Sequence, residues 1–356
     1  MVLRASHPPV ILGIESSCDE TAAAVVRGGH HVLSNVIATQ HDLHERYAGV
    51  VPEIASRAHI ERITPVIRQA MERADVSYGD LTAVAVGNRP GLIGSLLVGV
   101  SAAKALAWSL GIPIIGVDHL HAHLFAGLLD EEPVEFPALG LVVSGGHTSL
   151  YILRSPLDVR LIGHTIDDAI GEAYDKAATI LQLGYPGGPR LDKLAQLGNE
   201  DAHDLPVSML GKTSLDFSFS GLKTSLLYAV CGQPVGRGSD AALPRDASML
   251  TDVEKSDFAA SFQRAAVSAI LLKVRRALKT YKVKTLLTGG GVTANSRLRK
   301  ELTDLAKARG MDVRLPRMAY CLDNAAMIAG YAAWKYEAGR FDDWSLAASP
   351  RAAIGV

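Results

Sequence analysis

Apolar and polar positions along this chain come in blocks. Val10–Ile14 is apolar, Glu15-Ser-Ser-Cys-Asp-Glu20 is polar, and Ala22–Val26 is apolar again before Gly28-Gly29. Two short apolar runs around a polar turn predict a hairpin with acidic side chains at its tip. The pattern returns as Gly140–Val143, Ser144-Gly-Gly-His-Thr148 and Leu150–Leu153, so each hairpin would open one of two similar lobes.

Between the hairpins the 3.6-residue period predicts a helix over Pro52–Ala74, then a strand at Leu81–Gly87. A Gly-rich turn at Asn88–Gly94, a helix over Ser95–Ser109 and a buried strand at Ile112–Val117 follow. Further helices are predicted at Ala169–Leu183 and Leu191–Leu197, separated by Gly184-Tyr-Pro-Gly-Gly-Pro189. Cys231–Asp252 reads as a surface loop or insertion without function. The last third predicts a helix from Phe258 to about Thr280, a strand at Thr285–Thr288, a helix beginning near Asn295 and a closing helix over Asp323–Tyr336. Alternating strands and helices make the fold class α/β.

The 356 residues are 48% hydrophobic and 21% charged, which excludes a disordered chain and suggests about two lobes with a cleft between them. Thirty-six basic residues against 37 acidic ones leave a net charge of -1, so an RNA contact must use a local basic face. The densest basic run is Lys273, Arg275, Arg276, Lys279, Lys282 and Lys284, which reads equally as the solvated face of a helix. Three scattered cysteines, Cys18, Cys231 and Cys321, point to a reducing compartment. Residues 1–9 hold no apolar leader segment, and no uninterrupted apolar run reaches the ~18 residues of a membrane span, so the expected location is the cytoplasm.

His119 and His123 are four apart at the start of a predicted helix, the spacing by which one helix face supplies two metal ligands, while His121 points elsewhere. A third ligand is needed. Asp323 is a candidate, and it is equally the residue expected to cap the closing helix. A zincin protease needs Glu beside the first histidine, where this chain has Leu120. Ser144-Gly145-Gly146-His147-Thr148 offers bare amides that suit a phosphate and serve as well in an ordinary turn. Gly289-Gly-Gly291 before Asn295 suits a nucleoside lying over glycines, with Asn295 reaching a sugar or base edge; no Walker Lys-Ser/Thr follows. Asp19 and Glu20, as strand neighbours, should face opposite ways and serve different tasks, unless they are simply a solvated acidic tip.

Taken together, seven motifs resemble one family, the bacterial tRNA threonylcarbamoyladenosine transferases called TsaD or Gcp. They are Gly13-Ile-Glu-Ser-Ser-Cys-Asp-Glu-Thr21, Tyr47-Ala-Gly-Val-Val-Pro-Glu-Ile-Ala-Ser-Arg57 with His59, and Gly116-Val-Asp-His-Leu-His-Ala-His-Leu124. Val142-Val-Ser-Gly-Gly-His-Thr148, Phe217-Ser-Phe-Ser-Gly-Leu-Lys-Thr224, Gly289-Gly-Gly-Val-Thr-Ala-Asn295 and Cys321-Leu-Asp-Asn324 complete the ordered set.

The resemblance implies two ribonuclease-H-like lobes of the actin, Hsp70 and sugar-kinase (ASKHA) fold, with a helical insertion in the second. Residues 10–130 with the closing helix 323–338 would form the N-terminal lobe, and 131–322 the C-terminal lobe with an insertion at about 185–257. It implies an acyltransferase that moves the threonylcarbamoyl group of threonylcarbamoyl-AMP to the exocyclic amine of the adenosine next to the anticodon, in tRNAs reading codons that begin with A. His119, His123 and Asp323 match the family's metal ligands. The metal is one divalent ion, usually iron, Fe(2+), with zinc or magnesium as substitutes in a purified sample. Val142, Val143, Ser144, Gly145, Gly146, Asp175, Gly188, Asp192 and Asn295 match the adenylate-binding positions, and Asp19 and Glu20 match the acidic pair needed for activity. The implied partners are tRNA, a TsaB-like paralogous actin-fold subunit, a TsaE-like P-loop ATPase and a TsaC-like enzyme that supplies the adenylate.

This chain departs from the family pattern at three places. Arg89 opens a turn that usually begins with Gly, His121-Ala122 stands where Glu-Gly is usual, and Ala352 stands where many relatives carry Trp after Pro-Arg. Two other functions fit the same fold: an ATP-dependent small-molecule kinase, which leaves His119, His123 and Asp323 idle, and a nucleotide-gated scaffold, which predicts adenine-nucleotide binding with no group transfer to tRNA.

Overall fold

The computed structural model describes residues 8–44, 47, 49–236 and 243–352. Residues 1–7, Ala48 of the second motif and 237–242 of the expected loop lie outside the described residues.

Ten strands form two five-stranded sheets. The first is ordered β3(His31–Thr39), β2(Glu20–Arg27), β1(Val10–Glu15), β4(Ala83–Arg89), β5(Ile114–Asp118). The second is ordered β8(Asp158–His164), β7(Thr148–Ser155), β6(Ala138–Val143), β9(Thr285–Gly289), β10(Asp312–Arg314). In both, the first three strands are antiparallel and the last two run parallel to the central one. The same connectivity is thus used twice, as the paired hairpins suggested. Each hairpin continues into a third strand that the sequence pattern missed, β3 and β8.

The helices are α1(His41–His44), α2(Pro52–Ala74), α3(Ile93–Leu110), α4(His119–Phe125), α5(Ile170–Ile180), α6(Gly187–Ala195), α7(Ser220–Cys231), α8(Asp252–Thr280), α9(Ser296–Arg309) and α10(Ala325–Glu337). Central strands read as unbroken apolar runs because both faces of their sheets are covered. Leu12, Ile14, Val84 and Val86 pack with Ile63 and Ile67 of α2 and Val100 and Ala103 of α3. Their neighbours Ile11, Ala83 and Ala85 face α10 through Ala325, Ile328 and Ala329. Successive residues of a strand point to opposite faces, so one run feeds two cores.

The second of these cores continues into the second sheet. Val142, Leu153 and Leu287 share it with α4 and α10, which therefore lie between the sheets, while Leu139, Leu141 and Val143 face α5 and α8. Helix α3 is, among the described residues, the one helix long and apolar enough to cross a membrane. The count of uninterrupted apolar residues missed it because Ser95, Gly99, Ser101 and Lys104 break the run. Here it lies on β4 and α2 through Leu96, Val100, Ala103 and Ala107.

Candidate active site

Helix α4 begins where β5 ends. Asp118 caps it, accepting from the amides of Leu120 and His121 at 3.0 and 3.3 Å, and this fixes the first turn. From that turn the Nε2 atoms of His119 and His123 converge on one oxygen of Asp323, at 3.4 and 3.1 Å. The rings stand edge to face with centroids 4.5 Å apart. His121 points the other way, towards Tyr151 and Tyr331.

The two readings of Asp323 are resolved by its neighbour. Asn324 caps α10 by accepting from the amide of Met327 at 3.0 Å, which leaves the Asp323 carboxylate to the histidines. Burial opposes its charge, but the imidazoles outweigh that and hold it well below the usual carboxylate range.

Behind His119 stands Glu15, fully buried at the end of β1. Its Oε2 lies 3.1 Å from His119 Nδ1, and its Oε1 accepts from the amide of Ser17 at 2.6 Å. Burial disfavours a charged His119, yet Asp323 and Glu15 overcome it and raise its pKa well above the usual value. Two imidazole nitrogens and a carboxylate oxygen facing one space, with a carboxylate behind one ring, could hold a divalent metal with open positions. The sequence reading did not single out Glu15, although a carboxylate ending a wholly apolar strand is a signal that burial must be compensated.

Gly289 explains how α4 reaches this position. A Cβ on it would collide with the carbonyl of His123, and one on Gly290, at φ +94°, would collide with the carbonyl of Val143. These two glycines therefore let α4 and the Ser144 turn approach β9, rather than forming a platform for a nucleoside. Only Gly291 of the three lines a cavity.

That cavity, of about 510 Å³, opens beside the metal-ligand cluster. Gly145, Asp175, Gly188, Asp192 and Asn295 line it, together with Leu322, one residue before Asp323, and His41 from the first lobe. Val142 and Val143 do not line it; they are buried strand residues whose side chains belong to the two cores, so they have only main-chain atoms to offer. Ser144 spends its amide on the carbonyl of His147, and its hydroxyl accepts from the amide of His147, which leaves the amides of Gly145 and Gly146 unpartnered among the described residues. His147 is pushed down to about 4 by burial and by the two ligand histidines.

Asn295, expected to reach a sugar or base edge, lines the cavity while it is held by the protein's own hydrogen bonds. Its Oδ1 caps α9 at Leu298, and its amide donates to Gln263, Asp192 and Tyr174 at 2.8, 3.1 and 3.4 Å. Asp192 also holds Ser296. Asp175 accepts from the amide of Gly187 at 3.0 Å, and burial raises its pKa although the Gly187 and Gly188 amides oppose this.

Asp19 and Glu20 do not face opposite ways. Both approach His41 Nε2, at 3.9 and 3.3 Å, and all three meet at the cavity's edge. The bend at Asp19 breaks the strand alternation assumed for the pair. Burial, reinforced by Asp323 and Asp19 and opposed by the His41 hydrogen bond, pushes Glu20 up to about 8. The hydrogen bond to Glu20 in turn raises His41. His41 sits on a single turn with no periodic signal, which is why sequence reasoning passed over it.

The basic run does not form one surface. Lys273 is buried and donates to the carbonyls of Met209 and Ser214, Arg276 donates to Met209, Gly211 and Ser214, and Lys284 pairs with Glu135. Those three side chains hold loops in place.

The two sheets of repeated topology, with a candidate ligand cluster at their junction, define an actin-like (ASKHA) α/β architecture. Solved structures share the fold. The chain superimposes on full-length HypF in its phosphate- and nucleotide-bound form with TM-score 0.60 at 14% identity, covering 96% of this chain and 58% of that one. It superimposes on component A of the Acidaminococcus fermentans (R)-2-hydroxyglutaryl-CoA dehydratase with TM-score 0.50 at 14% identity, over 93% of this chain and 99% of that one. The family model TsaD, described as tRNA N6-adenosine threonylcarbamoyltransferase, matches residues 31–330. Proteins bearing that description from Rhodopirellula baltica and Symbiobacterium thermophilum are each 48% identical to this chain, over 96% of both chains and over 98% and 97%, respectively. The chain belongs to the tRNA N6-adenosine threonylcarbamoyltransferase family.

Proposed function

We propose that this chain transfers a threonylcarbamoyl group from threonylcarbamoyl-AMP to the N6 amine of the adenosine beside the anticodon, in tRNAs reading codons that begin with A. The observation that carries the reading is that one short segment serves both halves of the site: Cys321 and Leu322 line the cavity and Asp323 faces the histidine pair. An adenylate in that cavity would lie with its acyl end towards the cluster.

The adenine amine is a poor nucleophile because its lone pair is delocalised into the ring. Holding it against the acyl carbon removes much of the entropic barrier. The amine nitrogen then bonds to the carbamoyl carbon, the carbon–oxygen bond to phosphate breaks, and AMP departs. Asp19 or Glu20 takes the amine proton, a role worth typically ~10²–10⁴-fold in rate. The Gly145 and Gly146 amides suit the negative charge that develops on oxygen. His119, His123 and Asp323 would hold one divalent metal, iron by family resemblance, which supplies Lewis acidity to the adenylate when bound.

Residues 10–130 with 323–338, and 131–322 with its insertion at 185–257, are proposed as the two lobes. A TsaB-like subunit, a TsaE-like ATPase and a TsaC-like supplier of adenylate are proposed as partners, and the cytoplasm as the location. The decisive experiment supplies preformed threonylcarbamoyl-AMP, unmodified tRNA and the partner proteins, and follows labelled threonine. Label on tRNA that is lost in His119→Ala supports the reading. Absence of label with a partner set proven on another transferase overturns it in favour of a kinase or scaffold.

A further inference from the structure

Arg89, His121 and Ala352 are far apart in sequence and meet in space, lining one cavity of about 530 Å³ on the side of α4 turned away from the His119–His123 pair. The volume lies within the range of small-molecule sites.

Both cations and aromatic rings line the cavity. Arg89 Nε is buried without a hydrogen-bond acceptor and lies 3.6 Å from Asp118 Oδ2, whose other oxygen caps α4. Arg340 makes no side-chain hydrogen bond or ion pair among the described residues. Lys335 is pinned to the carbonyl of Gly116 and to Asp342. Burial first, then Arg89 and Arg340, depress the lysine against the pull of Asp342, so three cations crowd one space. Three carboxylates belong to the surroundings: Asp118 beside Arg89 and Asp158 at 3.9 Å from Arg154 line the cavity, and Asp342 sits on Lys335 and the amide of Gly116. Tyr151, Tyr331, Leu120 and Val159 line the same cavity.

We propose that this cavity binds a small phosphorylated molecule with a flat ring, its phosphate held by Arg89 and Arg340 and its ring against Tyr151 and Tyr331. Charged forks of this kind favour phosphate, and aromatic walls favour a planar body. The site is separate from the cavity assigned to the adenylate, and the inference does not depend on that assignment.

Calorimetric titration with phenyl phosphate, and in parallel with inorganic phosphate, tests it on the full chain. One site per chain is expected, tighter for phenyl phosphate than for phosphate. Arg89→Gln should weaken binding roughly tenfold through loss of one charged hydrogen-bonding group. Ala352→Trp should abolish it by filling the space. If that variant does not fold, Arg340→Gln carries the same expectation as Arg89→Gln. No heat at millimolar ligand, equal affinity for the two probes, or affinity unchanged in the variants would each overturn the proposal.

Discussion

Glu15 at the end of β1 and His119 at the start of α4 are bonded through Oε2 and Nδ1 at 3.1 Å, which ties the first hairpin of the chain to the ligand helix. A carboxylate behind a ligand imidazole fixes its tautomer and aims its other nitrogen. Glu15→Gln keeps the shape and removes the charge. It should lower metal affinity by roughly 10–100-fold, measured as the metal retained against a graded chelator buffer. Unchanged retention would show that Glu15 serves only the fold.

Gly289 should tolerate no side chain. Alanine there must push against the His123 carbonyl, so α4 shifts or β9 bends. The expected cost is about 1–3 kcal/mol of stability by denaturant titration, accompanied by weakened metal binding. Loss of stability with metal binding intact would mean that the sheet yields and the ligand helix does not.

The Glu20–His41 pair predicts a pH dependence. Glu20 is lifted to about 8 from an ordinary 4.5, so between those values the folded chain holds a proton that the unfolded chain has released. The stability this contributes is present below the unfolded value and lost as pH rises through the folded one. Glu20→Gln should therefore gain stability relative to the parent as pH approaches about 8, read from paired thermal melts. As a base, Glu20 acts only when deprotonated, so the single-turnover transfer rate should climb towards the same pH. A flat profile in Glu20→Gln assigns the inflection to this pair, and an unchanged inflection shows that Glu20 does not set it. The two groups titrate as a pair, so the inflection belongs to both.

Lys273 separates packing from RNA contact. Lys273→Met removes the donor that serves the Met209 and Ser214 carbonyls and should cost about 1–3 kcal/mol of stability. The salt dependence of tRNA binding should not change, since a buried ammonium releases no counterion. A shallower salt slope in this variant would return Lys273 to the RNA surface.

Much of this molecule was legible in one dimension. The helix over Pro52–Ala74 emerged with its observed bounds because an amphipathic period over 23 residues, opened by proline, has few rivals. The buried strands β1, β4, β6 and β9 were visible as apolar runs, and the ordered motifs named the family. The strands that escaped, β3, β8 and β10, are sheet edges with mixed exposure, where half-solvated positions dilute the alternation. Helix α7 escaped although its motif was noticed. Residue types and the i, i+4 spacing were enough to propose His119 and His123. The choice between Asp323 as cap and as ligand was not in the sequence, because it turns on Asn324 taking the cap. Nor could spacing place Glu15 behind His119, turn Asp19 and Glu20 towards one histidine, or bury Lys273 beneath a loop. Periodicity records which face of an element avoids water; which groups then meet depends on how the faces of distant elements pack, and that is decided only when the two sheets close on α4 and α10.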